Sequence, residues 1–305
     1  MMEHWPEAVR DWVTGSDGGF YSVSSPVFAT KGGTPYLKTP GVAVISKPQV
    51  NVQNLAGFLE GFSPELNFRQ YLDDPTDLPA GAAVCKAAGQ LCYASFGPKR
   101  TYNADAARYF DNIKESGHGS VLEHANYTLA FYGISRSVTH ELVRHRAGVG
   151  VSQISQRYVS GRVLRFVERP EYADIEELHS AFESRIDGAA AEYNRLAEIL
   201  LEKQKAGSGI LSADARTDLR KKVQQAARSV LPNETEAPIV VTANSRAWRH
   251  ILEMRANEHA EVEIRAMAFR AYLCLALTDP IIFGDYRVTE FPDGTYGVET
   301  KYAKV

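Results

Sequence analysis

Between Arg136 and Tyr158 the chain gathers side chains suited to holding a phosphate and a flat heterocycle. Arg136, His140 and Arg144 recur at i, i+4 and i+8, and Glu141, Arg144 and His145 at i, i+3 and i+4, the spacing of one helix face. Alone, that pattern describes a solvated helix with a Glu–Arg pair and cations near the negative end of its dipole. The continuation is more specific. Gly148 and Gly150 let a backbone approach a ligand closely, and Ser152, Gln153, Ser155, Gln156, Arg157 and Tyr158 then crowd hydrogen-bonding groups together. A guanidinium binds phosphate bidentately and stacks on rings, so the expected ligand is a phosphorylated aromatic.

A second stretch points the same way. Trp248, Leu252, Arg255, His259 and Val262 fall on one stripe of a helix expected to run from Asn244 or Ser245 towards Leu277. Arg255 and His259 interrupt an apolar face, and burying them unpaired is costly. Either Glu258 or Glu261 of a neighbouring copy pairs with them, or an anionic ligand does. Cys85, Cys92 and Cys274 form no CxxC pair and lie beside no His or Arg motif, which predicts free thiols in a reducing cytoplasm and no thiolate nucleophile. Two other chemistries remain open from these residues. His118, His124, His140 and His145 could cluster around a metal, although their spacing matches no HExxH pattern and no metal is expected. A noncatalytic RNA-binding module could use Tyr158 as a stacking platform, but 34 basic residues against 37 acidic ones leave no general attraction for nucleic acid.

These side chains need a scaffold, and the 305 residues, 44% hydrophobic and 23% charged, are enough for a disulfide-free core. No apolar run suggests a membrane span or signal peptide. Residues 1–80 read as an irregular leading arm, Gly- and Ser-rich from Gly15 to Gly33, with one short strand at Val42–Ile45, ahead of a catalytic domain at 81–305. A helix is expected over Asp105–Ser116, a strand over Tyr127–Tyr132, and a helix capped by Ser135 that reaches Arg146, followed by a loop at Ala147–Gly150. A strand at Val163–Val167, helices at Ile175–Lys205 and Ala213–Val230, a strand at Ile239–Val241 and a hairpin around Pro292-Asp293-Gly294 complete the pattern. Strands and helices without regular alternation imply an α+β fold, a mixed and largely antiparallel sheet packed with long helices.

Arg144-His145-Arg146, an intervening segment, then Ser155-Gln156-Arg157-Tyr158 resembles the signature of the flavin-dependent thymidylate synthases. His118-Gly119-Ser120-Val121-Leu122-Glu123-His124 is similar to the family's His-rich flavin segment. Arg136, Glu141, Lys221, Arg228 before Leu231-Pro232, Asn244, Arg255 and His259 follow the family in order and spacing, so that the resemblance spans Leu91 to Val288. It implies reductive methylation at C5 of a uracil nucleotide, dUMP to dTMP, with FAD as cofactor and NADPH and 5,10-methylenetetrahydrofolate as cosubstrates. It also implies a homotetramer with sites shared between subunits. By resemblance, Arg255 is catalytic and also binds substrate, together with Arg136, Glu141, Gln153, Ser155, Arg157, Tyr158, Lys221 and Arg228. His118, Ser120, Glu123, Arg144, His145, Arg146, Asn244 and His259 would contact FAD. No GxGxxG is present, so the flavin is expected outside a Rossmann fold. One departure stands out: eight residues, Ala147 to Ile154, separate Arg146 from Ser155, where the family pattern has seven. Relatives that methylate UMP make that nucleotide the alternative substrate, the longer loop being a place where a 2′-hydroxyl could fit.

Overall fold

The computed structural model describes residues 2–159, 161–205 and 213–302, so the last three residues of the expected catalytic segment lie outside it. In chain order its strands are β1 (Val13–Ser16), β2 (Phe20–Val23), β3 (Val27–Ala29), β4 (Pro35–Leu37), β5 (Gly41–Ser46), β6 (Asn126–Tyr132), β7 (Val149–Gln153), β8 (Phe166–Val167), β9 (Ile239–Asn244), β10 (Arg287–Glu290) and β11 (Tyr296–Glu299). The helices are α1 (Glu7–Arg10), α2 (Ala56–Glu60), α3 (Ala80–Cys92), α4 (Ala106–Glu115), α5 (Arg136–Leu142), α6 (Glu176–Lys205), α7 (Ala213–Ala227), α8 (Ser245–Arg255), α9 (Val262–Thr278) and α10 (Pro280–Phe283).

The central sheet has the order β1-β2-β5-β6-β9-β7 and is antiparallel throughout. Alternation along β6 turns Tyr127, Leu129 and Phe131 inward, and Ile239, Val241 and Ala243 of β9 join them. This face packs on α8 and α9, whose Trp248, Leu252, Ile264, Met267 and Phe269 are buried in the same core. The small sheet β3-β4-β8 carries α6 and α7 over Tyr36, Phe166, Phe182, Ile186 and Tyr193, and β10-β11 is the expected hairpin. An α+β fold with a largely antiparallel sheet is therefore what the chain adopts; β4 with β8 is the parallel pairing. Among the described residues no helix is long and apolar enough to cross a membrane.

Four local expectations are corrected. The leading residues are not irregular: β1, β2 and β5 are half the strands of the central sheet, and Gly18 and Gly19, at φ 77 and 69, make the tight turn between β1 and β2. The helix capped by Ser135 stops at Leu142, so Arg144, His145 and Arg146 lie in the turn beyond it. The loop expected at Ala147–Gly150 is half as long: Ala147 and Gly148 form the turn, and Val149 and Gly150 already belong to β7, which pairs with β9 from Val149↔Ala243 to Gln153↔Ile239. The long C-terminal helix is two helices. The Asn257 side chain donates to the Glu253 carbonyl and accepts from His259 N–H, and Glu261 accepts from the N–H groups of Glu263 and Ile264 to start α9. Side-chain bonds to backbone thus break the helix without Gly or Pro.

Candidate functional site

Arg255 ends α8 and points at the turn that follows α5. Its Nη1 donates to Glu141 Oε2 at 2.7 Å and its Nε to His145 Nε2 at 3.1 Å. Within the chain its acidic partner is thus Glu141, while Glu261 of the same chain caps α9 and pairs with Arg169. Burial, then Arg255 and His250, pushes the His145 imidazole down to about 4, so at neutral pH it is uncharged and can accept. His250 of α8 packs edge-on against it, ring centroids 5.6 Å apart at 69°.

The turn into β7 depends on Gly148, at φ 70, where a Cβ would come within 2.4 Å of Asn244 Nδ2. Asn244 cannot withdraw freely, since its Oδ1 accepts from Ala247 N–H at 2.8 Å and caps α8. Beside this corner opens a cleft of about 570 Å³ lined by Glu123, Gly148, Asn244, Arg246, Arg249 and His250, among others. Glu123 is tied to Arg246 at 2.6 Å. His118 and Ser120 are exposed at the start of the 3-10 turn Gly119–His124, and Arg144 donates to the His140 carbonyl at 3.3 Å. Arg146 is exposed with no side-chain partner among the described residues, and His259 is exposed in the α8–α9 linker, so it is no part of a helical stripe.

The remaining residues lie at the end of β7 and beyond it, and at the start of α5. Gln153 Nε2 donates to Thr139 Oγ1 at 3.2 Å, and Ser155 Oγ accepts from Arg157 N–H at 3.3 Å. Tyr158, 57% exposed, has the Arg157 guanidinium 5.5 Å and Lys221 Nζ 5.4 Å from its ring centre. Tyr158 and Lys221 line a cleft of about 860 Å³ between α6 and α7, with Tyr193, Asn194 and Arg220. Arg136, at the start of α5, and Arg228, in the 3-10 turn after α7, have half-buried side chains with no partner among the described residues.

Within one chain, then, the expected residues form three groups: Arg255, Glu141 and His145; Glu123 and Asn244 in the neighbouring cleft, joined to the first group through His250; and Tyr158, Arg157 and Lys221 against α6 and α7. Arg136, Arg228, His118, Ser120 and His259 join none of these by a recorded contact. Three residues of α8 escaped sequence reasoning. Arg246 and His250 stand at i and i+4 on its exposed side and Arg249, 3% exposed, at the cleft floor, bonded to Asp285 at 2.7 Å. The i, i+4 spacing of Arg246 and His250 was the available signal, and the apolar stripe of the opposite face masked it. Among the described residues no group of three or more His, Cys, Asp or Glu side chains could hold a metal.

Comparison with known proteins covers most of this architecture. Residues 76–281 match the family described as "Thymidylate synthase complementing protein". The flavin-dependent thymidylate synthase of Mycolicibacterium gilvum is 44% identical over 220 residues, which is 72% of this chain and 85% of that protein. The enzyme of the same name from Mycobacterium tuberculosis is also 44% identical over 220 residues, with the same coverage. In three dimensions the chain is similar to the UMP/dUMP methylase PolB from Streptomyces cacaoi bound with 5-Br dUMP, with a TM-score of 0.54 and 18% identity over 81% of this chain and 94% of that one. That last likeness is one of fold.

Proposed function

The chain belongs to the thymidylate synthase complementing protein family, the flavin-dependent thymidylate synthases and hence enzymes of the methyltransferase type, and on that footing we propose that it methylates C5 of dUMP to give dTMP. In this reading 5,10-methylenetetrahydrofolate provides the carbon and NADPH the reducing equivalents. The observation that carries it is the Arg255 guanidinium, anchored through Nε and Nη1 by His145 and Glu141 while Nη2 has no partner among the described residues. A cation held on one side and open on the other can lie against the oxygen edge of a uracil and stabilise negative charge that develops on the ring. Glu141 keeps the guanidinium in place, and neutral His145 adds no competing charge.

FAD, when bound, supplies the redox chemistry. The residues fit such a group. Arg146 has no side-chain partner among the described residues and is available to a pyrophosphate, Arg144 lies beside it in the same turn, and Gly148 and Asn244, packed on each other, line the adjoining cleft. We assign His118, Ser120, Glu123, Arg144, His145, Arg146, Asn244 and His259 to FAD. Arg136, Gln153, Ser155, Arg157, Tyr158, Lys221 and Arg228 go with Glu141 and Arg255 to the nucleotide: Arg157 and Arg228 to phosphate, Tyr158 and Lys221 to sugar or base. Because these residues are spread over separate parts of one chain, the reading places them together across subunits of a homotetramer in the cytoplasm. Residues 81–305 form the catalytic part, and residues 1–80 an extension whose strands are built into its sheet.

UMP is the second reading. It is favoured by the eight residues between Arg146 and Ser155, of which five form β7, and PolB, similar in fold, is a UMP/dUMP methylase. One anaerobic experiment tests both: the flavin-loaded protein is reduced with NADPH, then given methylenetetrahydrofolate and either nucleotide. A 5-methyl product from dUMP is expected, a product from UMP alone selects the second reading, and none from either refutes both.

A further inference from the structure

Arg255 is steered by two contacts of unequal quality. Glu141, whose side chain is 38% exposed, holds one terminal nitrogen, and that single contact leaves the guanidinium plane free to turn. The bond from Nε to His145 Nε2 fixes the plane, but only while Nε2 is bare, because a proton there would set donor against donor. His145 sits in a turn beyond a seven-residue helix, held by its backbone N–H on the Leu142 carbonyl. Among the described residues, the recorded polar and aromatic contacts of its ring are two, Arg255 and His250.

We propose that His250 is a positioning residue for the methylation: its ring, packed edge-on against His145, sets the orientation in which His145 offers a bare Nε2 to Arg255. This rests on the reading in which Arg255 acts on the uracil ring. His250 lies five residues before Arg255 on the same helix, so one rigid element carries both the guanidinium and the wall that orients its acceptor. The groups facing His145 are Arg255 and His250 from α8, with Glu141 of α5 beyond the guanidinium, and both α8 groups favour the uncharged ring.

The test uses the full chain labelled with ¹⁵N-histidine, His145 being assigned by the signal missing from His145→Gln. Long-range ¹H–¹⁵N spectra at neutral pH should show one tautomer for His145, protonated on Nδ1. In His250→Ala that signal should move to a tautomer mixture, and kcat for dUMP methylation should fall about tenfold with KM changed less than about twofold, as expected for a misaimed rather than a missing group. His250→Phe, which keeps a flat ring, should recover the single tautomer and about half of the lost turnover. An unchanged His145 signal in folded His250→Ala would overturn the proposal, and so would a His250→Phe that behaves like His250→Ala. The spectra need no turnover: a wild-type chain that makes no 5-methyl product defeats the proposed reaction, while the tautomer still decides what His250 does to His145.

Discussion

Ser135 gives Glu263 two hydrogen bonds, from its backbone N–H at 2.6 Å and its hydroxyl at 2.8 Å, so the residue that caps α5 is clamped by the first turn of α9. The clamp holds in register the two segments that supply Glu141 and, through the α8–α9 linker, Arg255. It also places a carboxyl where water does not reach. Burial outweighs the Ser135 bonds and pushes Glu263 up to about 7.

Stability should therefore depend on pH. Unfolded Glu263 loses its proton near 4.5 while the folded one keeps it to about 7, so its contribution is full below 4.5 and is lost as pH rises through 7. Urea unfolding of wild type and Glu263→Gln at several pH values between 4.5 and 8 should show the wild-type slope across that window flattened in the variant. Equal slopes would mean that the carboxyl is already ionised.

Arg255→Ala should act on turnover more than on binding. Loss of one preorganised donor at a developing anion costs kcat roughly a hundredfold to a thousandfold. Single-turnover rates with dUMP, set beside its Kd, check this; a matched loss of affinity would assign Arg255 to binding alone.

Gly148→Ala should damage the corner beside Asn244. A left-handed conformation costs an ordinary residue roughly 1–2 kcal/mol. The new Cβ would also displace the cap of α8. A lower Tm and weaker flavin absorbance per chain are expected, and a variant as stable and as yellow as wild type would contradict both the turn and the proposed flavin wall.

Asp285→Asn should destabilise the core behind the cleft. Asp285 binds Arg249 at 2.7 and 3.0 Å, Lys114 at 2.9 Å and the Thr300 hydroxyl at 2.6 Å. Burial opposes its charge, yet the Arg249 bond and charge, with Lys114 and Thr300, hold the carboxyl at about 2. Its stabilisation is present above its unfolded value and lost as pH falls through 2. Leaving buried Arg249 without a carboxylate, and Lys114 with Asp111 alone at 3.5 Å, should cost about 3–5 kcal/mol at neutral pH in urea unfolding.

Periodicity made much of the architecture legible. The alternation of Tyr127, Leu129 and Phe131, the long helical pattern of α6 and the Asp293-Gly294 turn each carry their own local signal. β7 did not, because Val149-Gly150-Val151-Ser152-Gln153 is short, glycine-bearing and polar, and it is a strand through its pairing with β9. The break after Arg255 was hidden as well, since side-chain bonds of Asn257 and Glu261 make it. In the site, family motifs picked out Arg255 and His145 separately, but their contact joins residues 110 apart and no spacing rule encodes it. His250 and Arg249 matter through tertiary neighbours that a single helix does not reveal.

The family likeness begins at residue 76, yet β2 and β5 precede it and lie between β1 and β6. A protein shortened to the matching segment would turn β6 into a raw sheet edge and bare the side of α9 that packs on β2 and β5. Such an edge recruits other chains, so truncation at that boundary should give aggregates rather than a minimal enzyme. Where sequence relatedness starts is, in this molecule, no guide to where the polypeptide can be cut.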